Sequence, residues 1–174
     1  MGFLDFFRSK PRQATDAPPF RLYLEEHEHD SESQSGRPLH GYGYALRDDR
    51  DRALSWDEGV LAANGIEVAK LAGTSHRLDV VQDPAFAPGS RLTLRPDPGN
   101  RYDEHAVGVW DAAGKLQAGF VAGDRSKDIS DRLRRERLEA YSLWEWRDES
   151  GQRCGLRMLL CPPGALAQTP RPLR

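Results

Sequence analysis

The sequence is poor in several features that would place a protein in a class at once. Its formal net charge is −2, from 25 basic and 27 acidic residues, so it lacks the global positive field of a histone-like packaging protein. No apolar run comes close to the roughly 18 residues that a membrane-spanning helix needs. The amino end lacks the basic leader, long apolar core and cleavage site of a secretory signal. We therefore expect a cytoplasmic protein without a membrane span.

Cysteine is scarce as well, since only Cys154 and Cys161 occur. If both lie on one strand, the odd separation between them puts their side chains on opposite faces of the sheet. Two thiols placed in this way cannot reach each other to form a disulfide. We expect free thiols in a reducing compartment.

The sequence motifs of enzymes are also missing. There is no glycine-rich phosphate loop, no nucleophile elbow and no nuclease-type cluster of carboxylates. An acid–base set of His76, Asp103 and His105 is the remaining option for an enzyme, and spacing alone is weak support for it. We therefore predict a protein that is not an enzyme and has no cofactor.

Two histidines near the amino end raise the question of a metal site. His27 and His29 lie among carboxylates in the stretch from Glu25 to Glu32, where they are candidate ligands for a divalent metal. A structural site needs further ligands at a set spacing, and none is evident. An exposed acidic loop is therefore the prediction for this stretch.

The chain divides by composition into four segments. Residues 1–19, with an apolar start and a proline-containing linker, are predicted to be a flexible amino-terminal segment. Residues 20–64 form an accessory arm, because the chain up to residue 64 holds eight basic and twelve acidic residues and no chemical motif. Residues 65–161 form the main domain. The tail, residues 162–174, is rich in proline and alanine and is predicted to be disordered.

Alternating apolar and polar residues predict most of the secondary structure. In the arm we predict strands over 20–24 and 39–46, and a short helix over 56–63 that begins with a capping box of Ser55 and Glu58. In the main domain, helical turns are expected within 78–86, and a helix capped by Asp124 or Ser126 over 125–138. Strands are predicted over 66–73, 90–94, 106–110, 116–121, 139–147 and 153–161.

Short strands separated by turns, with one or two short helices, are typical of a small barrel. The predicted fold class is therefore α+β, mainly β: a small OB-like or SH3-like barrel with an amino-terminal extension.

The stretch from Arg95 to Phe120 is the most distinctive part of the main domain. It combines a strand, an irregular loop, a second strand, a tight turn and a third strand. The loop carries an amide, a phenol and a carboxylate in close succession, at Asn100, Tyr102 and Asp103. Polar loops held between strands are common places for binding sites, because the scaffold fixes their geometry.

This stretch resembles the HIRAN domain, a family found in helicase-like remodelling ATPases and in small standalone bacterial proteins. The resemblance spans about residues 70–138. It is carried by Ala72-Gly73-Thr74-Ser75-His76-Arg77, by Asn100-Arg101-Tyr102-Asp103-Glu104-His105-Ala106-Val107, and by Gly119-Phe120-Val121 followed by a helix.

The resemblance implies an OB-like barrel that takes the 3′ end of single-stranded DNA. The carboxylate that would accept the terminal hydroxyl is Asp103, and the family's two aromatic positions fall on His76 and Arg77. Tyr102 and Phe120 would add stacking surface, and Arg101 would follow the backbone with nearby arginines. Residues 65–161 hold fifteen basic and fifteen acidic residues, so affinity for DNA is expected to depend steeply on salt.

Each of these residues also has a purely structural interpretation. Asn100 and Asp103 can close the loop through bonds to their own backbone, and Tyr102 and Phe120 can be core residues. The function predicted is a non-enzymatic module that binds single-stranded DNA, preferably at 3′ ends, in DNA repair, replication restart or defence. The alternative is a protein-interaction adaptor, in which the amino-terminal arm binds a partner and the barrel is a scaffold.

Overall fold

Antiparallel strands make up most of the computed structural model, which describes residues 20–173. Within these residues the strands belong to one sheet of nine. They are β1 (Tyr23–Glu32), β2 (Pro38–Arg47), β3 (Ala53–Leu54), β4 (Glu67–Ala72), β5 (Arg91–Pro96), β6 (Val107–Asp111), β7 (Gln117–Val121), β8 (Glu139–Arg147) and β9 (Arg153–Cys161). The α-helices are α1 (Gly59–Ala63), α2 (Leu78–Val81) and α3 (Gly123–Arg135), and 3-10 turns lie at Thr74–His76 and Pro84–Phe86.

Six of the strands close into a barrel. Their order is β8, β5, β6, β7, β4 and β9, and β9 pairs again with β8. All six pairings are antiparallel. The predicted fold class, a mainly β protein built on a small barrel with short helices, is confirmed.

The barrel interior is filled by the apolar side chains that alternate along its strands. Val107 and Val109 of β6 and Met158 and Leu160 of β9 are fully buried there. Side chains from the connecting segments also enter this core: Val81 from α2, Phe86 from the second 3-10 turn, and Ile129 from α3. Because these segments pack on the barrel core, they hold the loops between the strands in place.

A second apolar core lies on the outer face of β8 and β9. Tyr141, Leu143 and Leu159 pack there against residues of the arm, among them Leu46 and Leu61. The β1–β2 hairpin also extends the barrel sheet, since residues 40–43 of β2 pair with the end of β8. The arm is thus joined to the barrel by both hydrogen bonds and apolar packing. The division into an arm and a barrel domain stays a prediction.

The predicted acidic loop at residues 25–32 is wrong, because these residues lie in β1. Every residue from Tyr23 to Glu32 is in register with a residue of β2. β1 is an edge strand, so its carboxylates stay hydrated while its backbone is paired. β2, which covers the strand predicted over 39–46, is an inner strand between β1 and β8.

The two main helices differ from their predicted bounds. α1 begins at Gly59, and only one half of the capping box forms: the Ser55 amide donates to the Glu58 carboxylate at 3.0 Å. α3 begins at Gly123, before both predicted caps, and ends at Arg135. The side chain of Ser126 then lies inside the first turn of α3.

The carboxyl-terminal tail is also a correction, because residues 162–173 are packed and not disordered. Leu22 of the arm exchanges backbone hydrogen bonds with Ala165 and Ala167, both 2.9 Å. The Leu173 amide donates to the Pro88 carbonyl at 2.8 Å, and the Leu173 side chain is buried. Proline-rich composition did not prevent order, because apolar tail residues join the second core.

Two further expectations concern the thiols and the membrane. Cys154 and Cys161 are both free, as predicted; Cys154 is exposed and Cys161 is buried. Burial raises the pKa of Cys161 to about 12. In residues 20–173, no helix has the length and apolarity to cross a membrane. The predictions for residues 1–19 lie outside the described part of the chain.

Candidate nucleic-acid interface

The motif loop, residues 97–106, is held by bonds from its own side chains. The amide of Asp97 donates to the carbonyl of Ala106 at 2.7 Å and closes the base of the loop. Within the loop, Asn100 Oδ1 accepts from the Tyr102 amide at 3.0 Å, and Asp103 Oδ1 accepts from the His105 amide at 2.8 Å. Two of the polar motif residues therefore form Asx-type turns.

The Asp103 carboxylate is half-buried beside the amino end of α3. Its pKa is lowered, first by the Ser126 hydroxyl and then by the His105 amide. The Ser126 Oγ is also 3.0 Å from the Gly123 carbonyl oxygen, and a hydroxyl has one proton to donate to one of the two acceptors. Asp103 is thus ionised at neutral pH. The Asx-type turn uses the Oδ1 atom of Asp103, which accepts from the His105 amide.

Tyr102 projects from the motif loop into solvent. It is 82% exposed, which excludes the core position considered from the sequence. The Arg101 guanidinium lies over its ring, 4.6 Å from the centroid. The ring is therefore an accessible stacking surface that is partly covered by a cation.

Phe120 lies on the outer face of the barrel. Paired residues share a face, and the register places Arg95, Gly108, Phe120 and Ala72 side by side on β5, β6, β7 and β4. We call this set the outer row. Phe120 is half-buried in it, while Val109 and Val121 of the same strands point into the barrel core.

Trp110 was missed in the sequence although it belongs to the same surface. It is half-buried on the outer face of β6, and the Arg95 guanidinium lies 4.9 Å from the centroid of its ring. A Cβ added to Gly108 would lie 2.8 Å from Trp110 Nε1 and from Gln117 Nε2, so only glycine leaves room for these side chains. The inward positions of Val107 and Val109 were a signal, because they imply that Gly108 and Trp110 face outward.

His76 and Arg77 follow the outer row on the other side of Phe120. They lie in and after the 3-10 turn that leaves β4 at Ala72. The His76 side chain is exposed and Arg77 is half-buried. Because the motif loop joins β5 to β6 and this turn extends β4, the register puts Phe120 between the two segments.

The structure therefore brings the predicted residues to one side of the barrel. Two cavities, of about 680 and 400 Å³, are lined by none of the six predicted residues. Within residues 20–173, the aromatic pairs do not include Tyr102 with Phe120. Any ligand at this place would lie on an open surface.

The cavity of about 680 Å³ lies between α1 and α3 and is lined mainly by charged residues. Four of these charges are paired with each other. Glu67 accepts from Arg125 at 2.6 Å and lies 3.5 Å from Arg132, and Arg132 also bonds to Glu136 at 2.6 Å. This pairing gives Arg125 and Arg132 of α3 a structural role.

Comparisons with known proteins give a likeness of fold. No family model matches the chain, and no curated protein matches it. Among solved structures, a protein from Lactobacillus plantarum matches with 20% identity and a TM-score of 0.42, covering 53% of this chain and 89% of that chain. The HIRAN domain of human HLTF matches with 16% identity and a TM-score of 0.37, covering 55% of this chain and 74% of that chain.

These identities and TM-scores assign no function and no site residue to this chain. The human structure is of the HIRAN domain, which is the domain that the loop motif resembles.

Proposed function

We propose that this protein is a non-enzymatic module that binds single-stranded DNA and prefers a free 3′ end. The observation that carries the proposal is the Asp103 carboxylate, which is ionised, oriented by the His105 amide and carried by the loop that joins β5 and β6, two strands of the outer row. A carboxylate repels phosphate, so it is out of place in a site for backbone alone. It accepts a hydrogen bond from a terminal hydroxyl, and this selects an end without a phosphate.

Aromatic and cationic groups of the motif loop and of the outer face of the barrel support the same function. Tyr102 has an accessible ring, and Phe120 and Trp110 are half-buried on the outer face of the barrel. Stacking of a base on such a ring is worth about 1–3 kcal/mol. Arg95 and Arg101 lie over two of these rings and carry the charge that phosphates require.

The test compares short oligonucleotides with a 3′-hydroxyl and a 3′-phosphate by fluorescence anisotropy at low salt. We expect the hydroxyl end to bind about tenfold more tightly, the size of one charge-assisted hydrogen bond. Asp103→Asn should abolish this preference, because the amide keeps an acceptor for His105 but loses the charge. Equal binding of the two ends by the wild-type protein would end the claim of end recognition.

Glu104→Gln is the matched control for this variant. It removes the same charge from the neighbouring residue of the same loop, and the Glu104 side chain is 84% exposed. We expect it to keep the preference for the hydroxyl end. If Glu104→Gln and Asp103→Asn reduce the preference for the hydroxyl end alike, only the charge of the loop matters and Asp103 has no specific role.

The proposed absence of catalysis has its own test. Residues 20–173 contain no group of three or more histidine, cysteine or carboxylate side chains arranged as a metal site. Incubation of labelled single-stranded DNA with magnesium should leave the DNA intact. Cleavage that disappears in Asp103→Ala would make the protein a nuclease.

The alternative, a protein-interaction adaptor, keeps one structural argument. The exposed edge of the sheet is β1, which is the usual place for a partner strand to add. Its outward carboxylates disfavour such pairing. Loss of a captured partner on deletion of residues 1–19 would support the adaptor function.

A further inference from the structure

A second aromatic surface lies outside the HIRAN-like part of the chain. Two strands carry aromatic side chains at alternate positions on one face: His27 and His29 on β1, and Trp144 and Trp146 on β8. They line a groove of about 400 Å³ together with Trp56, which precedes α1. The ring centroids are 6.0 Å apart for His27 and Trp144, 6.4 Å for His29 and Trp146, 5.7 Å for Trp56 and Trp144, and 5.8 Å for Trp144 and Trp146. We call it the tryptophan groove.

Two glycines of β2 form the floor of the groove. Gly41 pairs with His29 on one side and Trp146 on the other, and Gly43 pairs with His27 and Trp144. A Cβ on Gly41 would lie 2.4 Å from Trp146 Cζ3 and 2.7 Å from Trp144 Cζ2. The indoles therefore occupy the space that side chains of β2 would fill. The groove depends on glycine at this position.

The tryptophans differ in burial, and this separates their roles. Trp144 is 3% exposed, and its indole N–H is buried without an acceptor. Trp56 and Trp146 are half-buried, while His27 and His29 are exposed. Trp144 thus forms the wall with an unused donor, and the other rings keep accessible faces. An unpaired buried donor is costly, so a ligand that offers an acceptor to the Trp144 N–H would stabilise its complex with the protein.

The charges around the groove favour a flat ligand that is attached to an anion. No aspartate or glutamate lines it, so the groove lacks the carboxylates that usually accompany an aromatic binding site for cations. The Arg157 guanidinium lies 4.8 Å from the centroid of Trp56. Arg157 lies on β9, in register with Trp144 of β8 on one side and with the exposed Lys70 of β4 on the other. Both cations therefore lie on the face of the sheet that carries the groove.

We propose that the tryptophan groove is a second subsite for the same single strand, and that it binds an unpaired base by stacking. Lys70 lies on the same strand and face as Ala72 of the outer row. β8 and β7 lie three strand spacings of roughly 4.8 Å apart in the six-stranded barrel, so the groove and Phe120 lie on opposite sides of it, and a strand that joins them must follow the barrel surface for at least about 14 Å. The strand would pass over Arg157 and Lys70. This inference rests on the proposed function.

The test uses the distribution of the four tryptophans. Three line the groove and the fourth is Trp110, so in Trp110→Phe all remaining tryptophan fluorescence comes from the groove. Oligonucleotides of about two and about eight nucleotides are titrated at low salt, with binding followed by anisotropy. We expect the longer one alone to quench the fluorescence, because stacking on an indole requires a base in the groove.

Trp146→Ala should weaken binding of the long oligonucleotide by about tenfold and leave the short one unchanged. His29→Ala is the second variant, because its exposed side chain does not support the fold. Tyr23→Ala is the matched control, because Tyr23 is a 42% exposed aromatic residue on β1 outside the groove. We expect this variant to bind the long and the short oligonucleotide as tightly as the wild-type protein does.

The outcomes separate the two proposals. Binding that prefers the 3′-hydroxyl, without quenching and without an effect of Trp146→Ala or His29→Ala, overturns the groove and keeps the end site. Quenching that depends on length, without a preference for either end, keeps the groove and overturns the end site. No binding of any oligonucleotide overturns both. Quenching by a proline-rich peptide alone would assign the groove to a peptide and overturn the inference.

Discussion

The motif loop and the tryptophan groove are two aromatic surfaces of the same sheet that are built in different ways. The motif loop is local: its polar side chains bond to amides two residues away, and Tyr102 extends from it into solvent. The groove is assembled from the β1–β2 hairpin and from β8, which is far from the hairpin in sequence, and its wall is part of the second core.

The two surfaces differ in how strongly the stability of the fold depends on their side chains. A local loop can change its exposed side chains with little effect on stability, because few of them contact the core. The groove cannot, because Trp144 serves both as its wall and as a core residue. We therefore expect substitution of the buried Trp144 to affect stability, and substitution of the exposed Tyr102 to affect binding.

Trp144→Ala gives the largest expected effect. It removes a buried indole, and we expect a loss of about 3–5 kcal/mol in the free energy of unfolding, measured with urea. Trp144→Phe keeps most of the packing and should lose much less. A loss below about 1 kcal/mol for Trp144→Ala would show that the arm is not packed on the barrel as described.

Gly41→Ala tests the floor of the groove. The new Cβ must displace two indoles, and overpacking of this kind costs about 1–3 kcal/mol. The same substitution in the motif loop, Gly99→Ala, meets nothing nearer than Asp97 Oδ1 at 3.7 Å. We expect it to change the free energy of unfolding by less than about 0.5 kcal/mol. Equal effects of the two variants would contradict the described difference between groove and loop.

Acidification through the range in which carboxylates are protonated, below about pH 5, should affect the motif loop more than the groove, which no carboxylate lines. The pKa of Asp103 is lowered in the fold by the Ser126 hydroxyl and the His105 amide. Its stabilising contribution is therefore present above the unfolded pKa of about 3.9 and is lost as pH falls through the lower folded pKa.

Asp103→Asn should accordingly be less stable than the wild type at neutral pH and approach it below about pH 4, in thermal unfolding followed across pH. Glu104→Gln is again the control, and its stability should follow that of the wild type at each pH. A constant difference between Asp103→Asn and the wild type at every pH would mean that the Asp103 charge does not stabilise the loop.

Tyr102→Ala should have the smallest effect on stability. The side chain is 82% exposed, so we expect a change within about 0.5 kcal/mol. Binding of oligonucleotides should nevertheless weaken if the ring stacks on a base. A clear loss of stability without a loss of binding would make Tyr102 a structural residue.

Sequence patterns predicted the barrel strands well, because each strand turns apolar side chains into the barrel core. β8 and β9 have the predicted bounds. The Asx turn of Asn100 could also be predicted, since it depends on residues two positions apart. β1 could not, because its acidic composition is typical of a loop and only pairing with β2 makes it a strand.

The sequence by itself determined which residues alternate between core and solvent, where the hairpins turn and which loop carries Asp103, because these depend on neighbours along the chain. Only the tertiary structure decided that the tail is packed and that three pairs of residues at alternate positions meet in one groove. The reason is physical: the register between strands is set by the packing of the whole sheet, and side chains from distant strands become neighbours only through it.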